Sequence, residues 1–231
     1  MTPELQHLNY NERRIAYRLR PGASPALVFF PGYASDMDGT KALALDAFAE
    51  RRALAMLRFD YSGTGSSSGA FEEGTPARWL EESLATIDQL TDGPLILVGS
   101  SMGGWLALHV ALLRPERVQA LVGIAVAPDF TEWGFSDGQA AEKAGISRGF
   151  WESAQRLLLL NREIAIDCPV RLLHGELDRD VPPEIAFRTL RQLRSADVQL
   201  TVIKGGGHRL SEPLEIETIL RTVGGLLEPA Q

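Results

Sequence analysis

Short apolar runs alternate along this chain with longer stretches of helical pattern, and this alternation limits the folds that the chain can adopt. Strands that alternate with helices form a parallel sheet with crossover helices. Several runs are apolar throughout, as expected of strands covered on both faces. We therefore predict an α/β fold with a mostly parallel central sheet flanked by helices. The predicted strands are 14–19, 26–30, 53–59, 95–99, 120–127, 170–174 and 198–204, and the predicted helices are 40–50, 76–90, 102–113, 183–194 and 212–227.

The size and composition of the chain fit one globular domain. Its 231 residues, of which 45% are hydrophobic and 23% charged, can build a sizeable core in a single domain, 1–231. The net charge of -7 repels phosphate backbones, so nucleic acid is not an expected partner. No segment approaches the roughly 20 apolar residues that span a bilayer, and no apolar run of signal-peptide length opens the sequence. We therefore predict no membrane span and a cytoplasmic location.

A G-x-S-x-G pattern lies between a predicted strand and a predicted helix, as Gly99, Ser100, Ser101, Met102 and Gly103. On a sharp strand-to-helix turn the serine backbone is strained, and the residues two before and two after it must be small. Such a turn exposes the Ser101 hydroxyl and directs the Met102 N–H toward a developing oxyanion. Ser101 is the predicted nucleophile and Met102 a predicted oxyanion-hole donor; the alternative is a glycine-rich turn with an idle serine.

A serine hydroxyl needs a base and an orienting acid, and both residue types follow predicted strands. Asp178 comes just after the sixth predicted strand, and His208 follows the last one. The order serine, aspartate, histidine is the chain order of α/β-hydrolase triads. We predict Asp178 as the acid and His208 as the base. Asp180 and Glu176 stay open as alternative acids.

The remaining polar candidates have structural interpretations. His109 is expected to be a packed side chain in an apolar helix, His174 to bond the backbone locally, and His7 to have no partner. Asp60 is expected to fix a loop by accepting backbone N–H groups. No histidine or cysteine pair has metal-ligand spacing, the single Cys168 excludes an intramolecular disulfide, and no phosphate-binding motif is present. We predict neither a metal nor another cofactor.

The second oxyanion-hole donor is expected in the loop after an early strand. Pro31, Gly32 and Tyr33 follow the apolar run that ends at Phe30, so we predict the Tyr33 N–H as this donor. The same letters also fit an ordinary strand-ending turn.

One long segment, 128–167, interrupts the alternation and carries several aromatic residues. We interpret it as a lid inserted in the domain, because long inserts in compact domains are often functional covers. The alternative is an amphipathic crossover whose aromatic side chains pack on the sheet. As a lid, it would supply an apolar wall for an acyl chain, for which the predicted substrate-binding residues are Phe130, Trp133, Phe135 and Trp151.

These residues together predict acyl transfer to water. The expected enzyme is a serine hydrolase that cleaves carboxylic ester or thioester bonds through an acyl-enzyme. Its expected partner is a small-molecule ester or an acylated thiol or protein, and the sequence sets no oligomeric state. The alternatives are a general short-chain carboxylesterase and a catalytically idle hydrolase-fold receptor or scaffold.

The order of motifs resembles the α/β-hydrolase fold along essentially the whole chain. Four stretches are similar, more narrowly, to the α/β-hydrolase domain-containing protein 10 family of animal mitochondria and its bacterial relatives: FFPGYASDMDGTKALAL, RFDYSGTGSSSG, DGPLILVGSSMGGWLALHVALLRPERV and CPVRLLHGELDRDVP. The resemblance implies removal of S-palmitoyl groups from proteins and cleavage of acyl glucuronides. It places the family's nucleophile, acid and base on Ser101, Asp178 and His208. The 128–167 segment looks shorter than the lid of the animal family.

Overall fold

A computed structural model describes residues 2–227 and contains one eight-stranded sheet with the order β1-β2-β4-β3-β5-β6-β7-β8. Strands β1 and β2 pair antiparallel, as do β2 and β4, and all the other pairs are parallel. The prediction of a mostly parallel sheet is confirmed. The strands are β1 Gln6–Tyr10, β2 Arg13–Arg20, β3 Ala23–Phe30, β4 Leu54–Phe59, β5 Leu95–Ser100, β6 Val118–Ile124, β7 Val170–Gly175 and β8 Val198–Ile203.

Helices cover both faces of this sheet, and each face has its own buried apolar cluster. Residues of α2, α3 and the long insert pack on one face, while α1 and α8 pack on the other. Trp105 of α3 is fully buried, and emptying a site of this size costs about 3–5 kcal/mol. The helices are α1 Thr40–Arg52, α2 Pro76–Leu90, α3 Met102–Leu113, α4 Phe130–Trp133, α5 Gly138–Lys143, α6 Arg148–Gln155, α7 Pro183–Gln192 and α8 Pro213–Gly225, and Phe71–Glu73 forms a 3₁₀ turn.

Helix α2 begins where its sequence predicts a helix start. The Thr75 side chain accepts a hydrogen bond from the Arg78 N–H, and Pro76 occupies the first turn. In α8 the first turn is closed by reciprocal bonds between Glu212 and Glu215, so the helix proper begins at Pro213.

Strand β1 was not predicted from the sequence. Its residues are partly exposed and lack an apolar alternation, because it pairs only with β2 at the sheet edge. The 128–167 segment also differs from a single crossover helix, since it forms three short helices before the chain returns to β7. Within residues 2–227, no helix is long and apolar enough to cross a membrane.

Candidate active site

The turn between β5 and α3 holds Ser101 in a strained conformation, with φ 54° and ψ -121°. Its N–H donates to the Ile124 carbonyl across the neighbouring strand at 2.8 Å. A Cβ built on Gly99 would lie 2.5 Å from the Gly103 carbonyl oxygen, and one on Gly103 would overlap backbone oxygens at the end of β3. The two glycines therefore let the turn close, and the strain fixes the direction of the Ser101 side chain.

A continuous hydrogen-bond chain links the three side chains predicted as a triad. His208 Nε2 lies 3.0 Å from Ser101 Oγ, and His208 Nδ1 lies 2.8 Å from Asp178 Oδ2. With Nδ1–H donating to the carboxylate, Nε2 is free to accept the serine proton. The His208 side chain is 20% exposed and that of Asp178 is fully buried, so solvent reaches the imidazole but not the carboxylate.

The Asp178 carboxylate is held by the backbone of its own loop. Its Oδ1 accepts hydrogen bonds from the N–H groups of Asp180 at 3.0 Å and Val181 at 2.9 Å. Burial alone would raise the pKa of Asp178, but the hydrogen bonds from His208 and Val181 outweigh it and the pKa is lowered. Asp178 is thus ionised and directed at the base over the neutral pH range.

The two alternative acids lie differently. Glu176 accepts a hydrogen bond from the Gly205 N–H at 3.0 Å and so braces the loop that carries His208. Asp180 is exposed and lies near His208 and Asp178. One carboxylate oxygen from each aspartate and one ring nitrogen of His208 all lie within 4.8 Å of one another. Among the described residues, Asp178 is the carboxylate that contacts a His208 ring nitrogen within hydrogen-bond distance.

Two backbone N–H groups close to the Ser101 turn have no hydrogen-bond acceptor among the described residues. One is that of Met102, the first residue of α3, and the other is that of Tyr33, which follows β3. A Cβ on Gly32 would lie 3.2 Å from the Ser100 carbonyl oxygen and 3.4 Å from Ser101 Cβ, which shows how closely this loop approaches the serine turn. The arrangement suits a negatively charged oxygen between the two donors.

The backbone of Met37 fixes the loop after β3 to the sheet. Its N–H donates to Asp60 Oδ1 at 2.7 Å, and its carbonyl accepts from Arg58 Nη1 at 2.7 Å. Asp60 also accepts from the Ser66 N–H, so its predicted role in fixing a loop is confirmed. Arg58 is fully buried and was missed in the sequence. The sequence feature that could have revealed Arg58 is its place as a charged residue inside the apolar strand LAMLRF.

An apolar cavity of about 250 Å³ opens on one side of Ser101 and His208. Phe130, Trp133 and Phe135 line it, so the structure brings three of the four predicted substrate-binding residues to the site. Trp151 lies elsewhere: its indole packs over Gly138, between α5 and α6, and lines none of the described cavities.

A second, more polar cavity of about 350 Å³ also reaches Ser101 and His208. Lys41 and Arg209 line it, and the Lys41 ammonium donates to the Arg209 carbonyl, one residue beyond His208. Burial lowers the pKa of Lys41, against the opposing charge of Glu215. Lys41 was missed in the sequence, where it reads as an ordinary residue in the first turn of α1.

Buried polar contacts hold the 128–167 segment together and attach it to α3. Asp129 takes a left-handed backbone conformation, and its carboxylate accepts from the N–H groups of Leu159 and Leu160. His109 of α3 bonds the Leu157 carbonyl at 2.9 Å, and burial lowers the pKa of this histidine to about 4. His109 is a packed side chain, as its place in an apolar helix predicts.

Comparison with known proteins identifies the family. A family model for the α/β-hydrolase fold matches residues 25–145. Human mitochondrial palmitoyl-protein thioesterase ABHD10 is 39% identical over 234 residues, covering 93% of this chain and 76% of that protein. The chain belongs to the α/β-hydrolase family, and within it to the ABHD10 family. The mouse mitochondrial ABHD10 sequence is 38% identical, covering 97% of this chain and 82% of that protein.

Solved structures agree with this assignment. Mouse α/β-hydrolase domain-containing protein 10 superimposes with a TM-score of 0.90 at 37% identity, over 97% of this chain and 98% of that one. Est1E from Butyrivibrio proteoclasticus, with ferulic acid bound, shares the fold at a TM-score of 0.82 and 20% identity, over 96% and 99% of the two chains. The predicted family, fold class and hydrolase activity are confirmed.

The predicted cellular location is wrong. The sequence predicts a cytoplasmic location, because no segment is apolar enough to span a membrane and no apolar run of signal-peptide length opens it. The ABHD10 relatives from human, orangutan, cattle, mouse and rat are all mitochondrial proteins, and this finding overturns the cytoplasmic prediction. The correction shows that the absence of an apolar leader carries little information about compartment.

Proposed function

We propose that this hydrolase cleaves carboxylic ester or thioester bonds through an acyl-enzyme on Ser101. The observation that carries the proposal is the hydrogen-bond chain from Ser101 through His208 to Asp178. A strained serine whose hydroxyl contacts an imidazole, itself oriented by a buried carboxylate, is the arrangement that nucleophilic acyl transfer requires. A receptor or scaffold has no need of this strain, so the arrangement favours an enzyme over an idle fold.

In the first half-reaction His208 Nε2 accepts the Ser101 proton as Oγ attacks the substrate carbonyl carbon. The carbonyl oxygen becomes an oxyanion, which the Met102 and Tyr33 N–H groups stabilise. Asp178 holds the imidazole in the productive tautomer and stabilises the imidazolium. When the tetrahedral intermediate collapses, the bond to the leaving group breaks and His208 returns the proton to the leaving oxygen or sulfur.

In the second half-reaction water replaces the leaving group. His208 accepts a proton from water, whose oxygen attacks the acyl carbon of the Ser101 ester between the same two N–H donors. Collapse of this second intermediate releases the carboxylic acid, and the proton on His208 returns to Ser101 Oγ. Proton transfers and bond changes balance over the cycle without a cofactor.

The two cavities beside Ser101 suggest how a substrate is oriented. The acyl chain fits the apolar cavity, where Phe130, Trp133 and Phe135 remove it from water at roughly 0.8 kcal/mol per methylene. The leaving group fits the polar cavity that contains Lys41. In this proposal the 128–167 segment is a lid, because it supplies one wall of the acyl cavity and none of the hydrogen-bond chain.

The preferred substrate class is an S-acyl thioester of a thiol or protein. The ABHD10 relatives support it, since they are named as palmitoyl-protein thioesterases. The polar cavity also suits an acyl ester whose leaving group carries a carboxylate, as acyl glucuronides do, because the Lys41 ammonium lies in its wall.

A specific observation favours a second candidate, a carboxylesterase for short acyl chains. The apolar cavity of about 250 Å³ is smaller than the ~300–1,000 Å³ of most small-molecule sites. A long chain must therefore extend beyond it.

A series of matched substrates tests the proposal. We would measure kcat/KM for esters and thioesters from acetyl to palmitoyl, with Ser101→Ala as the blank. A rise toward long thioesters supports the deacylation of S-acylated thiols, and a preference for short esters supports the second candidate. Equal turnover by the enzyme and its blank would refute both.

A further inference from the structure

His174 lies beneath the acid of the proposed triad, and the mechanism above does not use it. It is the fifth residue of β7 and is buried, with 1% of its surface exposed. Its Nε2 lies 2.9 Å from the Val181 carbonyl oxygen and 3.4 Å from Asp178 Oδ2. The predicted local bond to the backbone is thus present, but the ring also faces the carboxylate.

The surroundings of the ring fix its tautomer. The Val181 carbonyl can only accept, so Nε2 carries a proton. The other nitrogen, Nδ1, is buried and has no hydrogen-bond partner among residues 2–227. A proton on Nδ1 would leave a buried donor unpaired, which is costly. The favoured tautomer therefore carries its proton on Nε2, and this N–H donates to the Val181 carbonyl.

The Val181 peptide connects His174 to the far side of the same carboxylate. Its N–H donates to Asp178 Oδ1 at 2.9 Å, while its carbonyl accepts from His174. Asp178 Oδ2 in turn accepts from His208 Nδ1 at 2.8 Å. Oδ1 is thereby linked to His174 through the Val181 peptide, and Oδ2 lies 3.4 Å from the same Nε2.

We propose that His174 is a positioning residue for the acid: its Nε2–H holds the Val181 peptide, whose N–H in turn holds the Asp178 carboxylate in the rotamer that orients His208. The inference rests on the proposed function, because the orientation of His208 matters only if that ring transfers protons. His174 contacts neither Ser101 nor the described cavities, so it acts through Asp178. A misplaced general base slows the chemical step and leaves substrate binding largely intact.

Two substitutions of similar size separate this role from packing. His174→Gln keeps a donor close to the position of Nε2, whereas His174→Met fills similar space without one. We expect kcat to fall about 10- to 100-fold in His174→Met with KM within about threefold, and to recover to within about threefold of the wild type in His174→Gln. Thermal unfolding of both variants measures any loss of packing separately.

Proton NMR reports the positioning without turnover. The His208 Nδ1–H that bonds a carboxylate gives a far-downfield resonance, which should persist in His174→Gln and shift or broaden in His174→Met. Unchanged kcat and an unchanged resonance in His174→Met would overturn the proposal, as would an equal loss of kcat in both variants.

A measurement on the wild-type protein keeps the inference testable if a variant does not fold. Nitrogen-15 shifts of labelled histidine distinguish the tautomers, and we expect His174 to carry its proton on Nε2. A proton on Nδ1 with none on Nε2 would overturn the inference. If the wild-type enzyme cleaves no ester or thioester, the proposed function fails, while the tautomer and the His208 resonance still decide the role of His174.

Discussion

The two parts of the active site are built by different physical means. The side that carries Ser101, Asp178 and His208 consists of turns at the ends of parallel strands, held by hydrogen bonds and a strained backbone. The other side, the 128–167 segment, forms its cavity wall from aromatic side chains held by packing. In the proposed mechanism the ends of the sheet strands position the reacting groups, while a segment outside the sheet lines the cavity that selects the substrate.

Tyr33 is the residue at which the two parts meet. Its backbone N–H belongs to the proposed oxyanion hole, and its ring packs against Phe130 and Phe150 of the segment, with centroids 6.3 Å and 5.3 Å away. A change in the segment can therefore reach the chemistry through this one side chain. Substitutions on the hydrogen-bonded side should alter kcat, and those on the aromatic side should alter substrate preference.

The largest expected effect is that of Ser101→Ala. We expect kcat to fall by about 10⁴- to 10⁶-fold, because the nucleophile is lost while the oxyanion donors remain. The melting temperature should change little, since alanine keeps the Cβ at this turn. The test is the steady-state kcat of the purified variant. If Ser101→Ala turned substrate over as fast as the wild type, Ser101 would not be the nucleophile.

A smaller loss of kcat, about 10⁴-fold, is expected for Asp178→Asn, because the amide would stabilise the wrong tautomer of His208. Asp180→Asn is the matched control: its exposed carboxylate lies nearby but outside the hydrogen-bond chain, and we expect less than a tenfold loss. Comparing kcat of the two variants makes the test. The reverse ranking would assign the acid to Asp180.

The hydrogen-bonded part was predictable because its signals are local. A glycine two residues on either side of Ser101, and acidic and basic residues just past strand ends, appear in the letters themselves. Arg58 and Lys41 gave weaker signals, because their partners lie far along the chain. Lys41 donates to a carbonyl 168 residues away, and Arg58 donates to a carbonyl 21 residues away and to the Asp38 carboxylate. A contact to a carbonyl leaves no trace in the identity of the partner residue.

A test of the anchoring between the two parts uses pH. His109 is neutral when folded, with a pKa of about 4, whereas the unfolded side chain binds a proton below about 6.5. The unfolded state thus gains protons first as pH falls, and stability is lost between these values. Between pH 7 and 5 the wild type should lose about 2 kcal/mol more than His109→Gln, which keeps a donor to Leu157.

Urea unfolding at the two pH values measures this difference. The remaining titratable groups are the same in the wild type and the variant, so their contributions cancel in the comparison. Identical pH dependence of the two proteins would show that His109 does not stay neutral in the folded state.

The smallest expected effect concerns the aromatic part. Trp133→Leu should enlarge the apolar cavity and raise kcat/KM for long acyl chains over short ones by about tenfold, equivalent to roughly two methylenes of burial. Trp151→Leu is the matched control, because this indole lies over Gly138 and away from the cavity. We expect its chain-length profile to match the wild type. A similar shift in both variants would show that the chain-length preference does not depend on this cavity.

The aromatic part was only partly predictable for a physical reason. Aromatic content showed that the 128–167 segment buries apolar surface, but three short helices can bury the same rings in several arrangements. Phe130, Trp133 and Phe135 face the cavity and Trp151 does not, a difference set by tertiary packing and not by residue type. Strand β1 was not predicted for a similar reason. It is held by its pairing with β2 and not by an apolar pattern of its own.

Covalent labelling with a fluorophosphonate tests the central claim most directly. The probe phosphonylates a serine only if a neighbouring base activates it, so intact-mass and peptide mass spectrometry report both the activation and the site. Burial raises the pKa of Cys168 to about 11, so its thiol should not compete. We predict one adduct per chain, on Ser101, that is absent in Ser101→Ala and greatly slowed in His208→Gln. An unlabelled Ser101 in an enzyme that still turns over, or an adduct on another residue, would contradict the account.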